Sequence, residues 1–117
     1  MKLGELAEKA RIRVLTPEMP LDVEVRHVYA GDKVSDLLNH ARSETLLVTN
    51  LANAQLVRMA ELMDVPALCL LNNASVAPII LSAAVKQGTA VLVSPVGMFE
   101  TCGRLYRCLV GEGEARS

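Results

Sequence analysis

Aromatic residues are scarce in this 117-residue chain: Tyr29, Phe99 and Tyr106 are the whole set, and there is no tryptophan. A platform for stacking single-stranded bases needs more than that. Neither charge is in excess. Twelve Lys and Arg face thirteen Asp and Glu, for a formal net charge of −1. That excludes the basic stripe of a nucleic-acid protein and the polybasic anchor of a membrane-surface protein. The longest apolar run, Val65 to Leu71, is a strand's length and far short of the roughly 20 residues that span a bilayer. The opening Met1-Lys2-Leu3-Gly4-Glu5 carries no secretory apolar stretch.

Cysteine is equally sparse, at three residues. Cys69 lies among Leu68, Leu70 and Leu71 and behaves as a small buried hydrophobe. Cys102 and Cys108, six apart, point to different faces of a helix and lack the spacing of a zinc site. Reduced thiols without a signal or a span fit the cytoplasm.

Phosphate-loop and nucleophile motifs are missing too. The seven glycines form neither G-x-x-x-x-G-K-[ST] nor G-x-G-x-x-G, and no G-x-S-x-G elbow occurs. His27 and His40 are thirteen apart and fall on the polar sides of a strand and a helix, so no metal ligand set is expected.

What remains is an aliphatic globular chain, 51% hydrophobic and 21% charged, of the size of one domain. Leu3, Leu6, Ala7 and Ala10 take helical spacing, and Ile12 to Leu15 reads as a short strand. Thr16-Pro17-Glu18-Met19-Pro20 is a loop. Val23 and Val25 alternate with polar residues, with Val28 three further on, which predicts a strand with one polar face. Val34, Leu37, Leu38 and Ala41 mark a second helix, with Asp32 or Ser35 as cap.

Thr45 to Thr49, Val65 to Leu71 and Thr89 to Val93 are near-continuous apolar runs, as in strands covered on both faces. Between them fall a stripe of Leu56, Met59, Ala60 and Met63, and a helix from Ser75 to about Gln87 stopped by Gly88. Asn50 and Ser94 are candidate helix N-caps, with Pro95 at the first helical position. The last helix runs to about Val110.

The expected fold is therefore α/β: one domain over residues 1–110, a mainly parallel mixed sheet of about five strands flanked by helices, and a flexible tail over 111–117. The last helix is apolar on two sides. Phe99, Cys102 and Tyr106 make one stripe, and Met98, Leu105 and Leu109 another. One side packs on the sheet. The other can meet a second copy or a partner protein, and Met98, Leu105 and Leu109 are the expected homodimer contacts.

The covered strands end in small polar residues: Thr49-Asn50, Asn72-Asn73 and Ser94, with Asn53 and Gln55 in the following turn. In open α/β sheets the ligand crevice lies outside the carboxyl ends of the strands, where helix N-termini favour anions. Such an edge could hold a small anionic ligand, a nucleotide among them, with no resident cofactor. The same residues also serve simply as helix caps. Glu100 and Arg104 are spaced as a surface ion pair.

The strings Val34-Ser35-Asp36-Leu37-Leu38, Leu46-Leu47-Val48-Thr49 and Gly97-Met98-Phe99-Glu100-Thr101-Cys102-Gly103-Arg104-Leu105-Tyr106 resemble the DRTGG domain family, in its small stand-alone members. The resemblance spans Leu21 to Leu109. It implies a mixed-sheet α/β fold like the N-terminal domain of HPr kinase/phosphorylase. It also implies regulatory work, since the domain occurs as a regulatory insert in some phosphotransacetylases and some inorganic pyrophosphatases. Ser35, Asp36 and Thr49 are the matched polar positions. The chain departs from the family at Asn72-Asn73-Ala74-Ser75, where many members are glycine-rich, and at Asn50-Leu51-Ala52-Asn53.

The leading expectation is a non-catalytic, homodimeric regulatory module that senses a small anion or docks on a partner. The alternatives are an accessory subunit of a larger redox or signalling complex, and an enzyme using Asp32, Asp36 or Glu100 as acid or base.

Overall fold

The structure, a computed structural model, describes residues 1–40, 42–50 and 65–116, with side chains of the last helix through Gly111. The three apolar runs become β3 (Thr45–Val48), β4 (Ala67–Leu70) and β5 (Ala90–Val93), buried at every position. They are the middle of a five-stranded sheet that also holds β1 (Arg13–Val14) and β2 (His27–Ala30), in the order β1-β5-β4-β3-β2. Strands β2 to β5 are parallel, and β1 pairs antiparallel to β5. This is the mixed, mainly parallel sheet of one α/β domain that the sequence predicts.

Helices cover both faces. On one side lie α1 (Leu3–Ala10) and α4 (Met98–Arg116). Their Leu3, Leu6, Ala7, Ala10 and Leu105 pack with Leu46, Val48, Cys69 and Leu92. On the other lie α2 (Val34–His40) and α3 (Pro78–Lys86), where Leu37 and Ala84 meet Leu47, Leu68, Leu70 and Val91. Successive strand residues point to opposite faces, so each strand feeds both cores. Among the described residues no helix is long and apolar enough to cross a membrane.

Several local expectations are corrected. The alternation at Val23 and Val25 does not enter the sheet. Leu3 donates its N–H to Val23 O, Gly4 to Leu21 O and Val25 to Met1 O, each at 2.8–2.9 Å. The segment thus runs beside the chain's first residues, burying Val25 completely. Period-two patterning reports a half-buried extended chain and does not name its neighbour, so β2 begins only at His27.

Helix α3 starts at Pro78 with Ala77 as its N-cap and no side-chain cap, so Ser75 lies outside it. Proline at the first position needs no N–H partner there. Gly88, at φ +80°, follows the helix as expected. Helix α4 extends past Val110 to Arg116, since Gly111 and Gly113 weaken a helix by about 1 kcal/mol each without forbidding it. The stripe of Leu56 to Met63, with Asn53 and Gln55, lies outside the described residues.

Candidate functional site

The four parallel strands end on one edge of the sheet, and the ladder continues one rung beyond β3 and β5. Thr49 N–H donates to Cys69 O at 3.0 Å, and Ser94 N–H donates to Leu70 O at 2.8 Å. That extra rung draws both residues inside: Thr49 and Ser94 are fully buried. Ser94 Oγ lies 2.7 Å from Thr101 Oγ1 and accepts the Val96 N–H at 3.3 Å, while Thr101 Oγ1 donates to Val96 O at 3.4 Å. Ser94 therefore ties the β5–α4 turn to the helix from below. It is not the N-cap, because α4 begins four residues later, at Met98.

The turn after β4 is the exposed part of this edge. Asn72 and Asn73 both take left-handed backbone, at φ 55° and 53°, a region asparagine tolerates better than most residues. Their N–H groups donate to Val96 O and Ser94 O at 3.0 and 2.9 Å. This locks the β4 turn against the β5 turn, and both side chains stay exposed. Asn50 is exposed after β3, and Ser35 and Asp36 are exposed in the first turn of α2. Ser35 and Asp36 thus follow the end of β2, Asn50 that of β3, and Asn72 and Asn73 that of β4, all exposed, while Thr49 and Ser94 are withdrawn from the surface. Thr101, buried and essential to that arrangement, carries no sequence signal beyond being a threonine in a helix.

Asp32, Asp36 and Glu100 are all exposed, and Glu100 pairs with Arg104 at 3.3 Å. Three solvated carboxylates supply no desolvated acid or base. Among the described residues no cluster of His, Cys, Asp or Glu could hold a metal ion. Cys69 and Cys102 neighbour one another beneath α4. Burial, reinforced by Cys102, pushes the Cys69 thiol up to about 12, and burial also raises Cys102. A thiol held protonated is a poor nucleophile.

On α4 the two apolar stripes trade roles. Leu105 is 1% exposed, and Met98 and Leu109 are half-buried against the same core, so these three are internal packing and not an open face. Phe99 and Tyr106 face solvent instead, at 95% and 69% exposure. Cys102 turns inward with the core, away from Phe99 and Tyr106. Two hollows flank the edge strand β2. One of about 430 Å³ lies toward α4, lined among others by Arg26, His27, Cys102 and Tyr106. The other, about 240 Å³, lies toward α2.

Fold and edge together define a three-layer α/β module with exposed polar residues where the parallel strands end. The fold is similar to part of one solved structure. It superposes with a TM-score of 0.67 and 13% identity on the CBS and DRTGG domains of the regulatory region of Clostridium perfringens pyrophosphatase, complexed with the activator diadenosine tetraphosphate. The match covers 89% of this chain and 45% of that one. At this identity the likeness is one of fold. No protein-family model matches the chain, and no curated protein matches it.

Proposed function

We propose that this chain is a non-catalytic regulatory module of the DRTGG type, which takes a small anionic ligand, a nucleotide among them, and pairs with a second copy of itself. The observation that carries the reading is the superposition over 89% of the chain on domains of a regulatory region that binds a nucleotide activator. The solvated state of Asp32, Asp36 and Glu100 supports it. A thermal-melt panel of nucleotides and small anions tests it. At about a hundred times its dissociation constant, a ligand adds roughly 2.7 kcal/mol to stability. No shift with any of them removes the sensing role and leaves docking on a partner protein.

The surface that pairs two copies is the outer face of α4. Phe99, Gly103, Tyr106 and Arg107 recur there at helical spacing, and a shallow hollow of about 330 Å³ lies between Phe99, Glu100, Gly103, Arg104 and Arg107. A Cβ on Gly103 would meet nothing within 4 Å, so the backbone is bare there. Two such helices crossing antiparallel at Gly103 bring Glu100 of each copy against Arg107 of the other. A face that complements itself in charge about a two-fold axis suits a second copy better than an unrelated partner.

A further inference from the structure

The hollow of about 240 Å³ between β2 and α2 is built from six residues: His27, Val28 and Tyr29 of β2, His40 at the end of α2, Arg42 just beyond it, and Thr45 at the start of β3. Parallel register sets His27 beside Thr45 on one face of the sheet. The His40 ring stacks on Tyr29 with centroids 3.8 Å apart and planes 11° from parallel, which fixes the imidazole as a wall. Arg26 engages the nearby acid Glu44 at 3.0 Å, so that carboxylate is already matched outside the hollow. Three nitrogen-bearing side chains, from the start of a strand, the end of a helix and the loop that follows it, therefore meet at one place without a carboxylate among the lining.

Thr45 adds the observation that distinguishes this hollow from a solvated basic patch. It is 1% exposed, and its Oγ1 is the one buried side-chain oxygen or nitrogen among the described residues that finds no hydrogen-bond partner. The fold satisfies its other buried threonines: Thr16 Oγ1 accepts the Val91 N–H at 3.0 Å, Thr89 Oγ1 donates to Val65 O at 3.1 Å, and Thr101 bonds Ser94. A buried hydroxyl left unpaired by the protein lowers stability, and a bound group that accepts its proton is one way to complete it.

We propose that this hollow is a phosphoryl-binding site, in which Arg42, His27 and His40 face the phosphate oxygens and the Thr45 hydroxyl donates to one of them. The inference rests on the sensing role proposed above and moves its ligand away from the carboxyl edge. Guanidinium and imidazole N–H groups with a hydroxyl form a donor set matched to phosphate, and arginine binds it through two parallel bonds. The phosphoryl group can come from an inorganic polyphosphate or from a nucleotide.

Calorimetric titration of the full chain with inorganic pyrophosphate, and separately with ADP, tests the site. Wild type binds both if the phosphoryl group alone is read, and binds ADP alone if the nucleoside is required as well. Thr45→Val keeps the side chain's shape. It is expected to melt higher than wild type without ligand and to bind about tenfold more weakly, one hydrogen bond to a charged group being worth that much. Arg42→Ala, at an exposed position, weakens binding at least as far with the melt unchanged. Wild-type affinity in both variants, with loss in Asn72→Ala, overturns this site and leaves the sensing role at the carboxyl edge. Binding of neither probe overturns it too, and a shift from an anion without phosphorus would still uphold the sensing role.

Discussion

Ser94 Oγ and Thr101 Oγ1 sit 2.7 Å apart with no solvent access, joining the end of the last strand to the first turn of α4. Removing one hydroxyl leaves the other buried and short of a partner. Thr101→Val is expected to lose about 1–3 kcal/mol of stability. Ser94→Ala, Thr101→Val together should lose less than the two single changes added, because the second removes the orphan left by the first. Chemical denaturation of the four proteins measures the coupling.

The paired asparagines give a backbone prediction. Left-handed φ at Asn72 costs a β-branched residue about 1–2 kcal/mol and glycine nothing. Asn72→Val should destabilise by that amount, with Asn72→Gly close to wild type. Melting temperatures of both decide whether the residue is there for its backbone. A ligand role for its amide would appear only in binding.

Cys69 predicts a pH dependence. Its thiol keeps its proton up to about 12 in the folded chain, whereas an unfolded thiol loses it near 8.5. The folded state thus holds one proton more through that window. Its stability is fully present below the unfolded value and falls as pH rises, by roughly 1.4 kcal/mol per unit. The difference between wild type and Cys69→Ala, measured by denaturation from pH 8 to 11, isolates this slope from lysine and tyrosine. At neutral pH, Cys69 should react with iodoacetamide only after unfolding, as mass spectrometry of the labelled peptides would show.

Gly103 tests the pairing of copies. With open space around its Cβ position, Gly103→Gln should raise helix stability by about 0.5–1 kcal/mol. The same side chain would block two helices from crossing there. Sedimentation analysis should find wild type dimeric and Gly103→Gln monomeric, with a melt no lower for the monomer fold. A dimer surviving both this change and Phe99→Asp would place the interface elsewhere.

The sheet was legible because its central strands are covered on both faces. Thr45 to Val48, Ala67 to Leu70 and Ala90 to Val93 read as unbroken apolar runs and occupy the middle of the sheet. Edges were harder. Val23 and Val25 carry the alternation of a strand yet lie against the chain's start, and a period names no partner. Polar strand ends were visible as residue types, but whether a hydroxyl faces water or the core depends on one extra rung of the ladder, which no local pattern encodes. Thr49 and Ser94 went inward for that reason, and Asn72 and Asn73 stayed out.

On α4, the two apolar stripes are about equally hydrophobic in sequence. The packing of α4 on both α1, whose Ala10 carbonyl accepts from Arg104 at 3.4 Å, and the sheet decides which one is covered. The Tyr29–His40 stack and the unpaired Thr45 hydroxyl arise from contacts between separate elements. Thr45 itself reads only as the first residue of an apolar run.

The phosphoryl site proposed above requires that the chain bind ADP and leave its bonds intact. Phosphorus NMR of ADP with increasing protein tests both halves at once. The expected resonances shift or broaden in a saturable way, reverse on removal of the protein and give no new species over hours. New phosphorus signals that grow with time would contradict that site, as would lines unmoved at millimolar protein.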